Sequence, residues 1–175
     1  MPDLPFHFSD RTRRGILAIT GLAIILLVNM QIFFKEQIVS DGDRLLLQLA
    51  PRDPRALLQG DYMALRYAMA DEVAQAAAAA GMDDGRIVVE VQPTGEARFV
   101  DLYRGQAPAS GQRLLHFRKR GDSVRLASDA YFFQEGQSEV YADARYGELH
   151  VDTDGDAVLT GLFDGEFKRL GTLFH

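Results

Sequence analysis

The chain has 175 residues, 25 acidic against 19 basic, and no cysteine, which excludes disulfides, thiolate nucleophiles and Cys-bound metal. Setting aside Arg11, Arg13, Arg14, Lys35, Asp3 and Asp10 leaves 15 basic and 23 acidic side chains in residues 36–175. That net −8 disfavours nucleic acid and anionic lipid headgroups as partners.

Residues 1–14 form a short polar tail ending in three arginines. From Gly15 to Phe34 no residue is charged. At about 1.5 Å per residue a helix of that length crosses a hydrocarbon core of roughly 30 Å. Basic residues crowd its N-terminal side, while Glu36 and Asp41 follow its other end, so the N-terminus is expected in the cytoplasm and the remainder outside. The run is long, and Asn29–Phe34 offers no pair of small residues for cleavage, which favours an uncleaved anchor over a removed signal. Gly15, Ala18, Leu22, Ile25 and Asn29 fall on one helical stripe, and Gly15, Ala18 and Asn29 are candidates for contact with another helix in lipid. Residues 35–43 are expected to be a tether, with the soluble domain spanning 44–175.

Arg44–Ala50 reads as a short buried strand. Next come Asp53-Pro54, which suit the start of a single helical turn, and Gly60, which suits its end. The chain then leaves extended, with Tyr62, Ala64 and Arg66 on one face and Met63, Leu65 and Tyr67 on the other, core-facing side. Ala70–Ala80, closed by Gly81, is helical by propensity with Asp71 as its cap. Having little but alanine to bury, it is expected to be an exposed insert. Strands follow over 86–92, 97–104, 113–119 and 123–127, divided by turn clusters. A short helix is expected through Ala144, with Ser138 as its cap. Asp154-Gly155 marks a hairpin joining 146–152 to 157–163, and 167–174 closes the chain. The fold class is therefore α+β, a mainly antiparallel β domain with minor helices behind one N-terminal transmembrane helix.

The stretch Gly60-Asp61-Tyr62-x-x-Leu65-x-Tyr67 resembles the signature of the GDYxxLxY protein family, bacterial membrane-anchored proteins without an assigned activity. A second match runs through Tyr131-Phe132-Phe133, Ala144–Leu149 and Val151-Asp152. The resemblance implies an inner-membrane protein with a periplasmic domain. It also implies, as partner, a multi-span membrane protein.

Chemistry is sparse. Asp152, Asp154 and Asp156 alternate like part of a calcium loop, but Leu162 stands where an EF-hand needs its glutamate, so a plain turn is preferred. A single anchor before a β-rich domain is also the plan of bacterial signal peptidases. None of Ser9, Ser40, Ser110, Ser123, Ser128 and Ser138 has their serine–methionine context, and Lys119 lies between arginines before a turn, a solvated place unlike the dry site of a lysine base. His116, His150 and His175 have no second histidine at ligand spacing. No cofactor, metal or catalytic residue is assigned. The candidate site is the corner itself, Arg55, Asp61, Tyr62, Arg66 and Tyr67, read as a docking face because tyrosine and arginine commonly anchor interfaces. The alternatives are an envelope hydrolase using Asp61 or His150, and a small-ligand or lipid-binding β domain with an open apolar cavity.

Overall fold

A computed structural model describes residues 10–51, 62–121 and 123–171. The chain divides into two compact units, 1–37 and 38–175. The helix α1, Asp10–Asp41, supplies the described part of the first unit and is long and apolar enough to cross a membrane. It continues through 35–41, where a tether was expected. Lys35–Asp41 holds no proline or glycine to stop it, and Gly42 ends it by donating its N–H to the Ile38 carbonyl at 3.0 Å. Ile38, in the last turn, is buried within the second unit.

The second unit is built on strands β1 (Asp43–Gln48), β2 (Tyr62–Ala64), β3 (Asp84–Val91), β4 (Ala97–Leu102), β5 (Gln112–Arg120), β6 (Ser123–Leu126), β7 (Ala130–Phe132), β8 (Tyr146–Val151), β9 (Ala157–Phe163) and β10 (Arg169–Leu170). Helices α2 (Ala70–Ala80) and α3 (Ser138–Tyr141) complete it. One antiparallel sheet runs β1-β8-β9-β10, another β4-β3-β5-β6, and β2 pairs with β7 as a ribbon.

The principal core lies between the two four-stranded sheets. Leu45 and Leu47 of β1 and Leu149 and Val151 of β8 meet Ile87 and Val89 of β3 and Leu115 and Phe117 of β5. Alternation puts Leu46 on the opposite face of β1, yet it too is buried, because the turn before β4 covers it. The Leu46 N–H donates to the Gly95 carbonyl at 2.9 Å. This two-sided cover explains three consecutive leucines in one strand.

The expected burial and capping of the two short helices need correction. α2 is no exposed insert: Val73 and Ala77 are fully buried in the principal core, and the helix packs on β6 and β4. A face of alanines offers little area, but it also has little bulk to hold a helix away from a sheet. Asp71 does not cap it either. Met69 occupies the N-cap position, while Asp71, in the first turn, takes the guanidinium of Arg66 at 2.5 Å. Gly81 does end the helix, left-handed at φ 66°. The short helix α3 stops at Tyr141 and is preceded by Gln137, so Ser138 is not its cap.

The β8–β9 hairpin forms around Asp154-Gly155 as its sequence predicts. Asp152 Oδ1 accepts the N–H groups of Asp154 and Asp156, each at 2.9 Å, so this carboxylate serves its own turn. Gly155, at φ 93°, hands its carbonyl to the N–H of His116 on β5 at 2.8 Å. A Cβ there would stand 3.2 Å from the Leu114 backbone, so the tip of one sheet is fastened to the other through a position without room for a side chain.

Candidate functional site

The segment on either side of the corner is anchored to itself. The Ala50 N–H donates to the Arg66 carbonyl at 2.7 Å, and the Ala68 N–H to the Gln48 carbonyl at 2.9 Å. Beyond it, β2 pairs with β7 in the register Tyr62↔Phe132, Met63↔Tyr131, Ala64↔Ala130. The predicted alternation holds: Met63, Leu65 and Tyr67 are buried, while Tyr62 and Arg66 are exposed. Met63 and Leu65 join Phe133, Tyr141, Ala144 and Leu162 in a second, smaller core.

Tyr67 goes to the principal core, and this corrects its place in the docking face. Only 3 % of it is exposed, and its hydroxyl donates to the Ser128 carbonyl at 3.1 Å. Burial, with the nearby charge of Asp129, pushes its phenol well above the ordinary range. Arg55 and Asp61 lie outside the described residues. Of the five corner residues, the structure thus leaves Tyr62 and Arg66 on an exposed face. Arg66 borders a cleft of about 280 Å³, together with Gln48, Pro51, Ala64, Ala142 and Arg145.

The three residues proposed for helix contact, Gly15, Ala18 and Asn29, are all exposed on α1. The Asn29 amide is turned onto its own helix, donating to the Ile25 carbonyl at 2.8 Å. That satisfies one of its donors without a second helix.

A polar cluster that sequence reasoning missed sits on the outer face of the β1-β8-β9-β10 sheet. Glu148 is only 4 % exposed. It accepts from Arg44 Nε, from Arg169 Nη1 at 2.5 Å and from Thr160 Oγ1 at 3.1 Å. A bulge between β8 and β9 sets Glu148 opposite Gly161 and Leu149 opposite Leu159, so Thr160 is the extra residue, with its hydroxyl on the carboxylate. Gly161 matters for the same reason: a Cβ would meet the Arg169 guanidinium, which also donates to the Thr160 carbonyl at 2.6 Å. Both guanidinium groups lie over the Phe163 ring, at 5.0 Å for Arg44 and 5.8 Å for Arg169. The available signal was Glu148 inside the Ala144–Leu149 block, but nothing local to it marks a buried carboxylate.

His150 lies on that same face, and its Nδ1 is buried without a hydrogen-bond partner. His116 instead pairs with Asp84 at 2.7 Å, and Asp84 also receives Arg118 at 2.9 Å. Arg118 first, and His116 after it, hold the exposed Asp84 carboxyl below its usual range. Among the described residues no three His, Asp or Glu side chains gather where they could hold a metal ion.

Burial pushes the Tyr131 phenol up to about 12, and the neighbouring Tyr141 hydroxyl adds to the rise without aligning as its partner. Tyr67 and Tyr131 are thus neutral groups favoured by the fold. The stability they confer is complete below pH 10 and falls as pH climbs through their folded values, at about 12 for Tyr131. Difference titrations at 295 nm between the parent and the Tyr67→Phe and Tyr131→Phe chains should show these two phenolates only as near-UV dichroism is lost. Ionisation of either with the dichroism intact would contradict their placement.

Compared with known proteins, residues 24–162 match a family model described as GDYXXLXY protein, taking in part of α1 and nearly all of the β unit. No curated protein and no solved structure matches the chain.

Proposed function

This chain belongs to the GDYXXLXY protein family, and from that premise we propose a membrane-anchored accessory protein whose β unit docks a neighbouring multi-span membrane protein. In this reading α1 spans the inner membrane with Arg11, Arg13 and Arg14 in the cytoplasm, and the acidic β unit works in the periplasm. The observation that carries the docking role is the corner. Its alternate residues Met63, Leu65 and Tyr67 are consumed by packing, while Tyr62 and Arg66 stay exposed and Arg66 borders a cleft. At about 280 Å³ that cleft lies at the small end of ligand pockets, which run from about 300 Å³ upward. It suits one or two side chains of a partner better than a cofactor.

The test is a photo-crosslinking residue in place of Arg66, and separately of Arg145, in intact membranes. A heavier adduct containing a multi-span protein is expected from both positions. Monomer alone at both positions would overturn the docking role.

A further inference from the structure

Arg66 and Arg145 lie far apart in the chain, and Leu49-Ala50 brings them together. The Leu49 N–H donates to the Arg145 carbonyl at 2.8 Å, and the Ala50 N–H to the Arg66 carbonyl at 2.7 Å. The two arginines therefore flank one dipeptide, about two strand spacings or roughly 10 Å apart at the backbone. Arg145 is fixed on its other side as well, its N–H donating to the Phe163 carbonyl at 2.7 Å. Both side chains are exposed, and both border the 280 Å³ cleft.

The cleft joins two kinds of surface. Leu49, Met63, Leu65 and Ala144 give it apolar walls, and the arginines give it charge. Among the described residues no acidic side chain borders it, on a chain of net charge −6. A guanidinium carries five N–H donors, and neither arginine has spent more than one. Arg145 gives one to the Ala144 carbonyl at 3.0 Å and meets no carboxylate among the described residues. Arg66 gives one to Asp71, in an exposed pair of the kind that is worth little.

A ligand that fits must carry an anion and an apolar body within one residue's length. A lone inorganic anion would leave Leu49, Met63 and Leu65 uncovered. A long acyl chain has no room, since 280 Å³ holds roughly nine water-sized groups at about 30 Å³ each. The last residue of a polypeptide has the required shape, with a free carboxylate bonded to the Cα that bears its side chain. A planar carboxylate also matches the guanidinium fork. We infer that this cleft captures the apolar C-terminal residue of a protein partner, its side chain against Leu49, Met63 and Leu65 and its carboxylate on Arg145 and Arg66. The inference rests on the docking role proposed for the β unit and names the feature of the partner that is read.

The probe is a fluorescein-labelled peptide of glycine and serine ending in leucine, added to the detergent-solubilised full chain and followed by fluorescence polarisation. The free acid should bind about tenfold tighter, or more, than the same peptide ending in an amide. Arg145→Gln should weaken the acid by about tenfold and leave the amide unchanged. Arg98→Gln, at an exposed arginine of β4, should change neither. Asp71→Asn should tighten the acid by about twofold, because it releases Arg66 from its pair. A defect in folding would not tighten binding, so this variant separates recognition from structure. Absence of binding up to millimolar chain, or equal binding of acid and amide, would overturn the inference. So would equal binding of an amide-ended peptide with an internal glutamate, or displacement by millimolar phosphate, which identify an acidic segment and a simple anion as the occupants. In the crosslinking test each chain keeps one of the two arginines. Adducts there, without preference for the acid here, would leave the docking role standing and remove this mode of recognition.

Discussion

Replacing Glu148 by alanine should lower the stability of the β unit by about 3–5 kcal/mol, the range seen when one member of a buried ion group is removed. Glu148 is the carboxylate on which Arg44, Arg169 and Thr160 converge, and among the described residues it is the buried charged one. Without it two guanidinium groups are left over the Phe163 ring with no carboxylate between them. Arg44 can recover, because half of its side chain already meets water. Arg169 is 28 % exposed and is held over Gly161 by the Thr160 carbonyl, so it stays partly desolvated without its counter-charge. The loss should therefore fall toward the lower end, roughly 3 kcal/mol, or on the order of 10 °C in Tm for a unit of this size. Near-UV dichroism during heating of the detergent-solubilised chain reads it. The triple change Arg44→Met, Glu148→Leu, Arg169→Met should regain most of the loss, since apolar side chains of similar volume leave no charge unpaired. A Glu148→Ala chain that melts within a degree or two of the parent would mean that the cluster is open to water.

Removal of residues 1–37 should shift the protein from a carbonate-resistant membrane pellet entirely into the supernatant. The stretch 15–34 carries no charge, and α1 offers it as continuous helix with every interior backbone group paired, as a lipid environment demands. A milder change gives a graded version. Ile25→Arg, near the middle of the run, adds about 2.5–3.5 kcal/mol to insertion and should leave a measurable fraction outside the membrane. Release of the parent chain by carbonate would end both the anchor and the accessory role built on it.

Much of the architecture could be read from residue order. The uncharged run, the alternation after Gly60, the Asp154-Gly155 turn and the strand-forming stretches are local signals, and each element appears near its expected place. What escaped depended on distant partners. The burial of α2 could not be seen because alanine looks the same whether it faces water or lies flat on a sheet. Glu148 gave no warning because its burial depends on arginines at 44 and 169, drawn together only when β1, β8 and β10 join one sheet. Tyr67 could be assigned to the inner face from its spacing. Its hydroxyl partner, the Ser128 carbonyl, belongs to a turn that sequence does not connect to it. In the corner, alternation sorted Tyr62 and Arg66 from Tyr67, but it could not show that Tyr62 would find an equally open Phe132 across the ribbon.

Strand order carries a consequence for biogenesis. β1, the first strand to emerge behind the anchor, has as its ladder neighbour β8, with Asp43 set against Val151 at the far end of the unit. During synthesis Leu45, Leu46 and Leu47 must wait, unpaired and sticky, until almost the whole polypeptide has been delivered. Closure of such a non-local sheet is slow, and an exposed apolar edge invites aggregation meanwhile. A nascent chain of this design is a natural client for holdase chaperones, and its yield should track their supply more closely than its final stability.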